Sequence, residues 1–361
     1  MGFKNLEKAM QFYKDKNAPM ANIKVVYKGE VVYEKELNEN SKFDTPFYMY
    51  SATKVITAVA AMQLVEKGIL DLDTDISKYI PSFENVYVGK EKKLSKTPQT
   101  LRYLLSMQSG YGYNFDKENL KKAVLNKNAT TLQVVAEMLK DYVNFEPGTD
   151  FDYGFGLDIV GGIIEAVTGI SFDEYVKKNI FEPLGMKNST LKLSDVGEEK
   201  NIWQQYRFNE KTNGYDKEDN NIFVLTDNFY SGGAGLISTT NDYIKFVKVM
   251  ANNGLADDGF RLITKQSIDE MKKPQLCEKA YKTFWKGPDY SYGLGVRTLI
   301  KNDNLRVPLG EFGWDSAGNS YVLIDTENNL GIFFGCLVLG WNEGYENHAK
   351  IRDAVYEDLG L

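Results

Sequence analysis

Ser51 and Lys54 stand three positions apart in the segment Ser51-Ala-Thr-Lys54. On a helix, residues at this spacing share one face, so the lysine amine can lie beside the serine hydroxyl group. An amine in that position can remove the hydroxyl proton and turn the serine into a nucleophile. The chain has one histidine, His348, far from Ser51 in the sequence. Serine chemistry in this chain would therefore need a base other than histidine.

A serine and a lysine at this spacing occur twice, so the surrounding sequence has to distinguish the two pairs. Ser189-Thr-Leu-Lys192 is followed by no helical pattern, whereas Ser51 opens a strongly helical segment. At a helix N-terminus, free N–H groups and the helix dipole would stabilise an oxyanion. The apolar neighbours of Lys54 would lower its pKa and favour it as a base. The alternative is a serine that only caps the helix, with Lys54 on the surface.

Motifs for several other chemistries are absent from the sequence. There is no G-x-S-x-G for an α/β-hydrolase, and His348 lies in a segment typical of an exposed helix start, which argues against a Ser-His-Asp triad. There is no G-x-G-x-x-G and no P-loop, and Gly232–Gly235 predicts only a flexible turn. One histidine and two cysteines offer no zinc-ligand cluster. We therefore expect neither a metal nor a cofactor.

Charge and composition restrict the partners. The net charge is −7 and no basic cluster is present, which argues against nucleic acid. No run reaches the roughly 18 apolar residues of a membrane span. Cys277 and Cys336 make no disulfide framework, and the apolar surroundings of Cys336 predict that it is buried. The N-terminus has no signal-peptide pattern, so we expect a cytoplasmic protein with a small-molecule substrate. The sequence leaves a homo-oligomer open.

The apolar pattern predicts strands near both chain ends and helices between them. A hairpin is expected over 22–37, around Lys28-Gly29-Glu30. The other predicted strands cover 292–298, 319–326 and 330–338. The predicted helices cover 1–16, 53–67, 100–106, 130–140, 156–167, 171–179, 241–252, 264–271 and 343–359.

These elements predict an α+β fold, with an antiparallel sheet flanked by helices and an inserted all-helical subdomain. The sheet subdomain would comprise 1–70 plus 240–361, and the helical subdomain 71–239. The site would lie in the cleft between them.

Several segments resemble those of serine β-lactamase-like proteins, and they occur in the same order. Asp44–Lys54 resembles the entry to the active-site helix, and Gly68–Pro81 resembles the loop that follows it. Thr100–Gly110 is similar to the segment T-x-R-x-L-L-x-H-x-S-G, with Met107-Gln108 where the histidine is usual. Further matches are Phe145–Gly148, Gly161–Gly169, Phe181–Met186 and Gly232–Thr239. Over roughly residues 20–340 the chain is similar to the group of class C β-lactamases, penicillin-binding proteins and family VIII esterases.

The resemblance implies a catalytic set without histidine. The S-x-x-K motif is Ser51 and Lys54, the nucleophile and its base. The Y-x-N motif falls on Tyr153-Gly154-Phe155, whose tyrosine shares the proton transfer with the lysine. A phenol has a pKa of about 10, and a neighbouring ammonium would favour its phenolate form.

The third motif of the group is placed on Trp314-Asp315-Ser316, with Glu311-Phe312-Gly313 as the competing register. In the preferred register, the backbone N–H groups of Ser51 and Ala317 would form the oxyanion hole.

Two departures from the group's motifs bear on the substrate. Phe155 stands where an asparagine would bind a substrate amide, and Trp314 where a lysine or histidine would bind a substrate carboxylate. The neighbouring Asp315 would repel an anion by about 1 kcal/mol or more. Both changes favour a neutral or apolar acyl ester. The other residues expected at the substrate are Ser316, Gln108 and Tyr111, with Tyr113, Tyr230, Trp285 and Tyr292 as further aromatic residues near the cleft.

The expected function is thus that of a serine hydrolase that cleaves carboxylic esters through an acyl-enzyme. The alternatives are a β-lactamase, a D-aminopeptidase-type amide hydrolase, an acyltransferase, and a catalytically inactive penicillin-recognising binding protein.

Overall fold

The computed structural model describes residues 2–80, 83–196, 202–219, 221–303 and 306–361. The helices are α1 (Lys4–Asp15), α2 (Thr53–Glu66), α3 (Leu101–Leu105), α4 (Glu118–Ala123), α5 (Thr131–Met138), α6 (Gly156–Thr168), α7 (Phe172–Val176), α8 (Thr240–Ala251), α9 (Lys265–Lys272), α10 (Glu278–Thr283) and α11 (Asn342–Leu359). Shorter helical turns cover Tyr50–Ala52, Ile76–Lys78, Lys177–Phe181 and Leu193–Val196.

The strands are β1 (Ala21–Tyr27), β2 (Glu30–Glu36), β3 (Phe47–Tyr48), β4 (Tyr87–Val88), β5 (Lys93–Leu94), β6 (Tyr206–Asn209), β7 (Gly214–Lys217), β8 (Ile237–Ser238), β9 (Tyr290–Tyr292), β10 (Arg297–Leu299), β11 (Phe312–Gly313), β12 (Tyr321–Asp325), β13 (Leu330–Cys336) and β14 (Val338–Leu339). Met1, within the predicted first helix, and Pro81, at the end of the segment 68–81, lie outside the described residues.

The two ends of the chain build one antiparallel sheet in the order β2-β1-β13-β12-β11-β10-β9. The N-terminal hairpin joins the C-terminal strands through β1 and β13, which pair from Ala21 opposite Cys336 to Tyr27 opposite Leu330. The predicted α+β fold with an antiparallel sheet is therefore confirmed.

Strand β13 is buried on both faces of the sheet, and its successive side chains point in opposite directions. In β13, Ile332 and Phe334 join a core that also contains residues of α1 and α11. Phe333, between them, joins the other core, which contains residues of α2 and α8. Its ring stacks on that of Tyr243 with centroids 4.6 Å apart. Strand β13 thus fixes helices on both faces of the sheet.

Two features differ from the sequence prediction. The strand expected over 292–298 is two strands, β9 and β10, because the chain reverses between them. Gly293 N–H donates to the carbonyl of Val296 over 2.8 Å, and Gly295 takes a φ of 75°, which glycine adopts readily. The middle of the chain is also not purely helical, since β6 pairs with β7 and β14, and β8 pairs with β3. These short strands tie the middle of the chain to the two ends.

Helix α2 has no exposed face over most of its length. Every residue from Thr53 to Leu64 is buried, including the polar ones. The helix shares one core with residues of the sheet, α6 and α8. A helix buried all round keeps its side chains away from water, and Lys54 is among them.

Cys336 is buried in β13, as the sequence predicts. In the described part of the chain, no helix has the length and apolar character needed to cross a membrane.

Replacing Phe333 with alanine should lower the free energy of unfolding by about 3–5 kcal/mol, because a buried aromatic ring is lost and a cavity remains. Urea denaturation followed by tryptophan fluorescence measures this change. The control is Leu125→Ala, at a side chain that is 80% exposed, for which a change within about 0.5 kcal/mol is expected. Equal losses in the two variants would contradict the assigned role of Phe333 in the core.

Candidate active site

Ser51 lies in the 3-10 turn Tyr50–Ala52, which leads directly into α2. The preceding residue, Tyr50, has a φ of 43°, a left-handed conformation that is strained for a bulky side chain. Burial and a hydrogen bond between the Tyr50 hydroxyl and Gln205 hold it there. Backbone strain of this kind is concentrated at functional sites. The turn places Ser51 on the wall of a cleft of about 720 Å³.

The hydroxyl of Ser51 contacts the two other predicted catalytic side chains. Lys54 Nζ lies 3.2 Å from Ser51 Oγ, and Tyr153 OH lies 2.7 Å from the same oxygen. Lys54 follows on α2, whereas Tyr153 comes from the segment just before α6. The N-cap of α2 is Ala52, so Ser51 is not the capping residue of this helix. The structure therefore brings the serine, the lysine and the tyrosine together.

Lys54 is fully buried, which excludes the alternative of a surface lysine. Burial lowers the pKa of Lys54 to about 7, and the carboxylate of Asp158 acts in the opposite direction. A large fraction of the side chain is then the neutral amine near neutral pH. This is the form that can accept the proton of Ser51.

The hydrogen bonds of Lys54 allow it to accept the proton of Ser51. Its Nζ lies 2.7 Å from the carbonyl of Gly233 and 3.1 Å from Tyr113 OH, besides its contact with Ser51. A carbonyl oxygen only accepts, so one N–H of a neutral amine points to Gly233. The second N–H and the lone pair are left for the two hydroxyl groups. The lone pair can therefore face Ser51 while the N–H groups bind Gly233 and Tyr113.

The surroundings of Tyr153 disfavour the phenolate form, contrary to the prediction from the sequence. Burial raises the pKa of Tyr153 well above its ordinary value, and its hydrogen bonds with Ser51 and Trp314 offset this only in part. Its ring packs against those of Trp285 and Trp314, with centroids 5.2 and 5.6 Å apart. In this apolar setting the charged form is disfavoured, so Tyr153 is a better proton donor than base.

The third motif lies at the cleft in the register Trp314-Asp315-Ser316. All three residues line the cleft with Ser51. Trp314 Nε1 donates a hydrogen bond to Tyr153 OH over 2.9 Å, so the indole fixes the orientation of the phenol. In the competing register, Glu311 is buried and forms an ion pair with Arg297 at 2.8 Å. Glu311 therefore belongs to the interior of the protein.

Ala317 follows in an exposed turn, and it lines the same cleft as Ser51. The hydroxyl of Tyr345, at the start of α11, lies 2.8 Å from the carbonyl of Ser316 and 3.0 Å from that of Ala317. These contacts fix the peptide planes of the turn. The oxyanion hole formed by the N–H groups of Ser51 and Ala317 stays a prediction.

The charge of Asp315 is offset in part by its neighbours. Lys286 forms an ion pair with Asp315, and Arg297 Nη1 lies 3.6 Å from Asp315 Oδ1. The prediction that Asp315 repels anions assumed that no cation lies beside its carboxylate. Burial lowers the pKa of Lys286 to about 7, whereas the guanidinium of Arg297 stays charged. These cations offset the charge of Asp315 in part, which weakens that argument.

His348 is buried, and its prediction as part of an exposed helix start is wrong. Its Nε2 lies 3.1 Å from the carbonyl of Asn319, and its Nδ1 lies 3.8 Å from Asp315 Oδ1. Burial lowers the pKa of His348 to about 3, so the ring is neutral. Among the described residues His348 makes no hydrogen bond with Ser51, and it lies behind the third motif.

Three residues expected at the substrate do not line the cleft. The side-chain amide of Gln108 is occupied by Ser106, the carbonyl of Gln275 and the N–H of Cys277, at 2.9 to 3.1 Å. Tyr111 and Phe155 are buried and border a separate, very small cavity. The ring of Phe155 packs edge-on against Tyr113, with centroids 4.9 Å apart. These three side chains support the site from behind.

The other aromatic residues expected near the cleft take four different places. Trp285 lines the cleft and is half exposed. Tyr292 is buried behind Trp314, with ring centroids 4.8 Å apart. Tyr113 lies beside Lys54, and Tyr230 lines a different cavity.

Sequence reasoning missed several residues that complete the site. Gly233 and Asp158 lie behind Lys54, and Lys286 and Tyr345 lie at the cleft. Gly233 lies in the segment Gly232–Thr239, whose resemblance to the family could have identified it as a site residue. Lys286 and Tyr345 lie in segments without a motif, so the sequence offered none.

The arrangement can supply a serine nucleophile, a buried amine as its base and a phenol as an acid. In the described part of the chain, no group of three or more histidine, cysteine, aspartate or glutamate residues is placed to hold a metal ion.

Replacing Trp314 with phenylalanine should lower the rate of serine acylation roughly fivefold, since one hydrogen bond of about 1 kcal/mol to Tyr153 is lost. The rate of labelling by a fluorophosphonate measures this. Trp285→Phe is the matched control, because Trp285 packs on the same tyrosine through its ring. The assignment is wrong if the two variants slow the reaction equally.

Comparisons with known proteins agree with this architecture. The sequence matches the family described as Beta-lactamase over residues 4–355. The acyltransferase calJ from Penicillium decumbens is 31% identical over 327 residues, which cover 81% of this chain and 75% of that protein. Lovastatin esterase from Penicillium rubens is 29% identical over 348 residues, which cover 84% of this chain and 84% of that protein.

Among solved structures, "EstCE1, a hydrolase with promiscuous acyltransferase activity" is similar with a TM-score of 0.82 and 20% identity, and 98% of each chain is covered. This similarity shows the fold. Together with the match over residues 4–355, the 31% identity shows that this chain belongs to the Beta-lactamase family, whose fold is shared by serine esterases and acyltransferases.

Proposed function

We propose that the protein is a serine hydrolase that cleaves carboxylic esters through an acyl-enzyme on Ser51. One observation carries the proposal: Ser51 Oγ lies at hydrogen-bond distance from both a buried lysine and a partly buried tyrosine, on the wall of an open cleft. A buried amine and a phenol supply a base and an acid without histidine.

In the acylation step, the neutral amine of Lys54 accepts the proton of Ser51 as Oγ attacks the ester carbonyl carbon. The N–H groups of Ser51 and Ala317 bind the oxyanion of the tetrahedral intermediate. When the intermediate collapses, the carbon–oxygen bond to the alcohol breaks and Tyr153 donates its proton to the leaving oxygen. The proton held by Lys54 then returns to Tyr153.

Deacylation repeats these steps with water as the nucleophile. Water loses a proton to the Lys54–Tyr153 pair, attacks the acyl carbon and releases the carboxylic acid. The proton returns to Ser51 Oγ, which restores the starting state.

The cleft supports a bulky substrate of mostly apolar character. Its volume of about 720 Å³ is within the range of small-molecule sites. Tyr153, Trp285, Trp314 and Tyr345 contribute aromatic rings to its wall. The preference for neutral esters rests on this aromatic wall, because the charge of Asp315 is offset in part. Relatives named as an esterase and as acyltransferases support ester chemistry.

Acyl transfer to an alcohol is the second candidate. It is supported by the names of several relatives, which are acyltransferases or methylbutanoyltransferases. The two reactions share the acyl-enzyme and differ in whether water or an alcohol takes the acyl group. Hydrolysis and alcoholysis of p-nitrophenyl butyrate, measured with and without added butanol, separate them. Parallel assays with nitrocefin and a D-amino-acid anilide compare ester with amide cleavage.

Exposure to a fluorophosphonate should add one adduct to the intact mass of the protein, and Ser51→Ala should abolish it, because Ser51 is the nucleophile. Ser189→Ala is the matched control at the second S-x-x-K and should label like the wild type. Ester turnover should also fall at least a hundredfold in Lys54→Ala and in Tyr153→Phe. An unlabelled wild type, or a full adduct in Ser51→Ala, would refute the proposal and favour a binding protein.

The rate of acylation should rise with pH and level off above roughly pH 8. The pKa of Lys54 is lowered to about 7, so the amine is protonated and inactive below this pH and free to act as a base above it. The pH profile of kcat/KM for p-nitrophenyl butyrate measures the midpoint. A profile that is flat between pH 5.5 and 8.5 would show that Lys54 is not the base.

A further inference from the structure

A carboxyl group is buried behind Lys54. Asp158 lies in the first turn of α6 and is fully buried. Its Oδ1 accepts hydrogen bonds from Ser231 Oγ and from the N–H of Gly233, the latter over 3.1 Å. The dipole of α6 stabilises a negative charge at this end of the helix. These contacts oppose the effect of burial, which raises the pKa of Asp158.

The turn that binds Asp158 on one side binds α2 on the other. Within residues 231–235, the carbonyl of Gly233 lies 2.7 Å from Lys54 Nζ. The carbonyl of Gly232 accepts a hydrogen bond from Thr57 Oγ1 over 2.6 Å. Asp158 thus fixes the position of the oxygen that orients the lysine.

The second oxygen of Asp158 has no hydrogen-bond partner among the described residues. A Cβ added to Gly233 would lie 2.6 Å from this Oδ2 and 2.6 Å from Tyr113 OH, so both oxygens border the same side of Gly233. A buried carboxylate oxygen without a partner is unfavourable unless a positive charge lies nearby. The nearby cation is Lys54, so the protonation states of the two groups are coupled.

The titratable groups that face Lys54 are the phenols of Tyr113 and Tyr153 and the carboxyl of Asp158. Burial raises the pKa of both phenols, so they carry no charge near neutral pH. Burial raises the pKa of Asp158 as well, and the ammonium of Lys54 opposes this. Asp158 is therefore the group whose charge Lys54 experiences.

We propose that Asp158 is a positioning residue for acylation: it fixes the turn 231–235 against Lys54 and supplies the negative charge that sets the pH range in which Lys54 accepts the serine proton. The inference rests on the proposed function and deepens it, since it names the group that adjusts the base.

The test is the isosteric variant Asp158→Asn, with the rate of fluorophosphonate labelling measured from pH 5 to 9. Removing the negative charge favours the neutral amine, so the midpoint of the acid limb should move about one pH unit lower. Ser231→Ala is the control. It removes the hydroxyl that donates to Asp158 and accepts from the N–H of Ala234 but keeps the carboxyl group, so the plateau rate should fall and the midpoint should move less than in Asp158→Asn.

An unchanged midpoint in folded Asp158→Asn, with labelling that still depends on Ser51, would overturn this inference and leave the proposed function standing. Absence of labelling in the wild type would overturn the proposed function instead. If Asp158→Asn does not fold, the carboxyl carbon resonance of Asp158 in wild-type protein labelled with ¹³C-aspartate decides. A carboxylate at pH 7 supports the inference, and a protonated carboxyl at pH 7 overturns it.

Discussion

The amine of Lys54 is buried, and the segments around it are arranged to keep it so. An ammonium in water would hold its proton at neutral pH and would be useless as a base. Transferring it into a dry interior disfavours the charged form, and the pKa falls to about 7. Three oxygens then have to satisfy the N–H groups and the lone pair, and they come from Ser51, Tyr113 and Gly233. The fold has to supply all of them without admitting water.

This requirement explains the position of α2. Helix α2 lies between the sheet and the helical part of the chain and is buried from Thr53 to Leu64, so its first turn, which carries Lys54, is kept away from water. Four other segments complete the site: the loop with Tyr113, the segment just before α6 with Tyr153, the turn 231–235, and Trp314 directly after β11. The sheet, assembled from both chain ends, holds the last of these against the first three. The cleft is open to substrate, whereas Lys54 behind it is shielded from water.

The sequence predicted the features that depend on short-range geometry. Periodicity predicted the bounds of α2 and the first hairpin closely, and helical spacing predicted the contact between Ser51 and Lys54. Contacts between distant segments could be predicted only from motifs. These placed Tyr153 and Trp314, in its preferred register, beside Ser51, and both residues lie there. The motifs failed for Gln108, whose amide binds the backbone of a neighbouring loop instead of a substrate. A motif assigns a residue to a place in the chain, but the direction of its side chain depends on packing that the motif does not contain.

The same limit applies to charge. Asp315 beside the nucleophile suggested a cleft that rejects anions, because the sequence shows the sign of a side chain and not its neighbours. The structure places Lys286 and Arg297 against it, from segments with no motif. Asp158 is the opposite case: it belongs to no motif, and one oxygen of its carboxyl group has no hydrogen-bond partner in the described part of the chain. The effects of paired charges near the cleft on a substrate largely cancel. A poorly paired charge in the dry interior, in contrast, shifts the pKa of a neighbouring ionisable group. We therefore expect the charge behind Lys54 to affect the proposed reaction more than the charges at the mouth of the cleft.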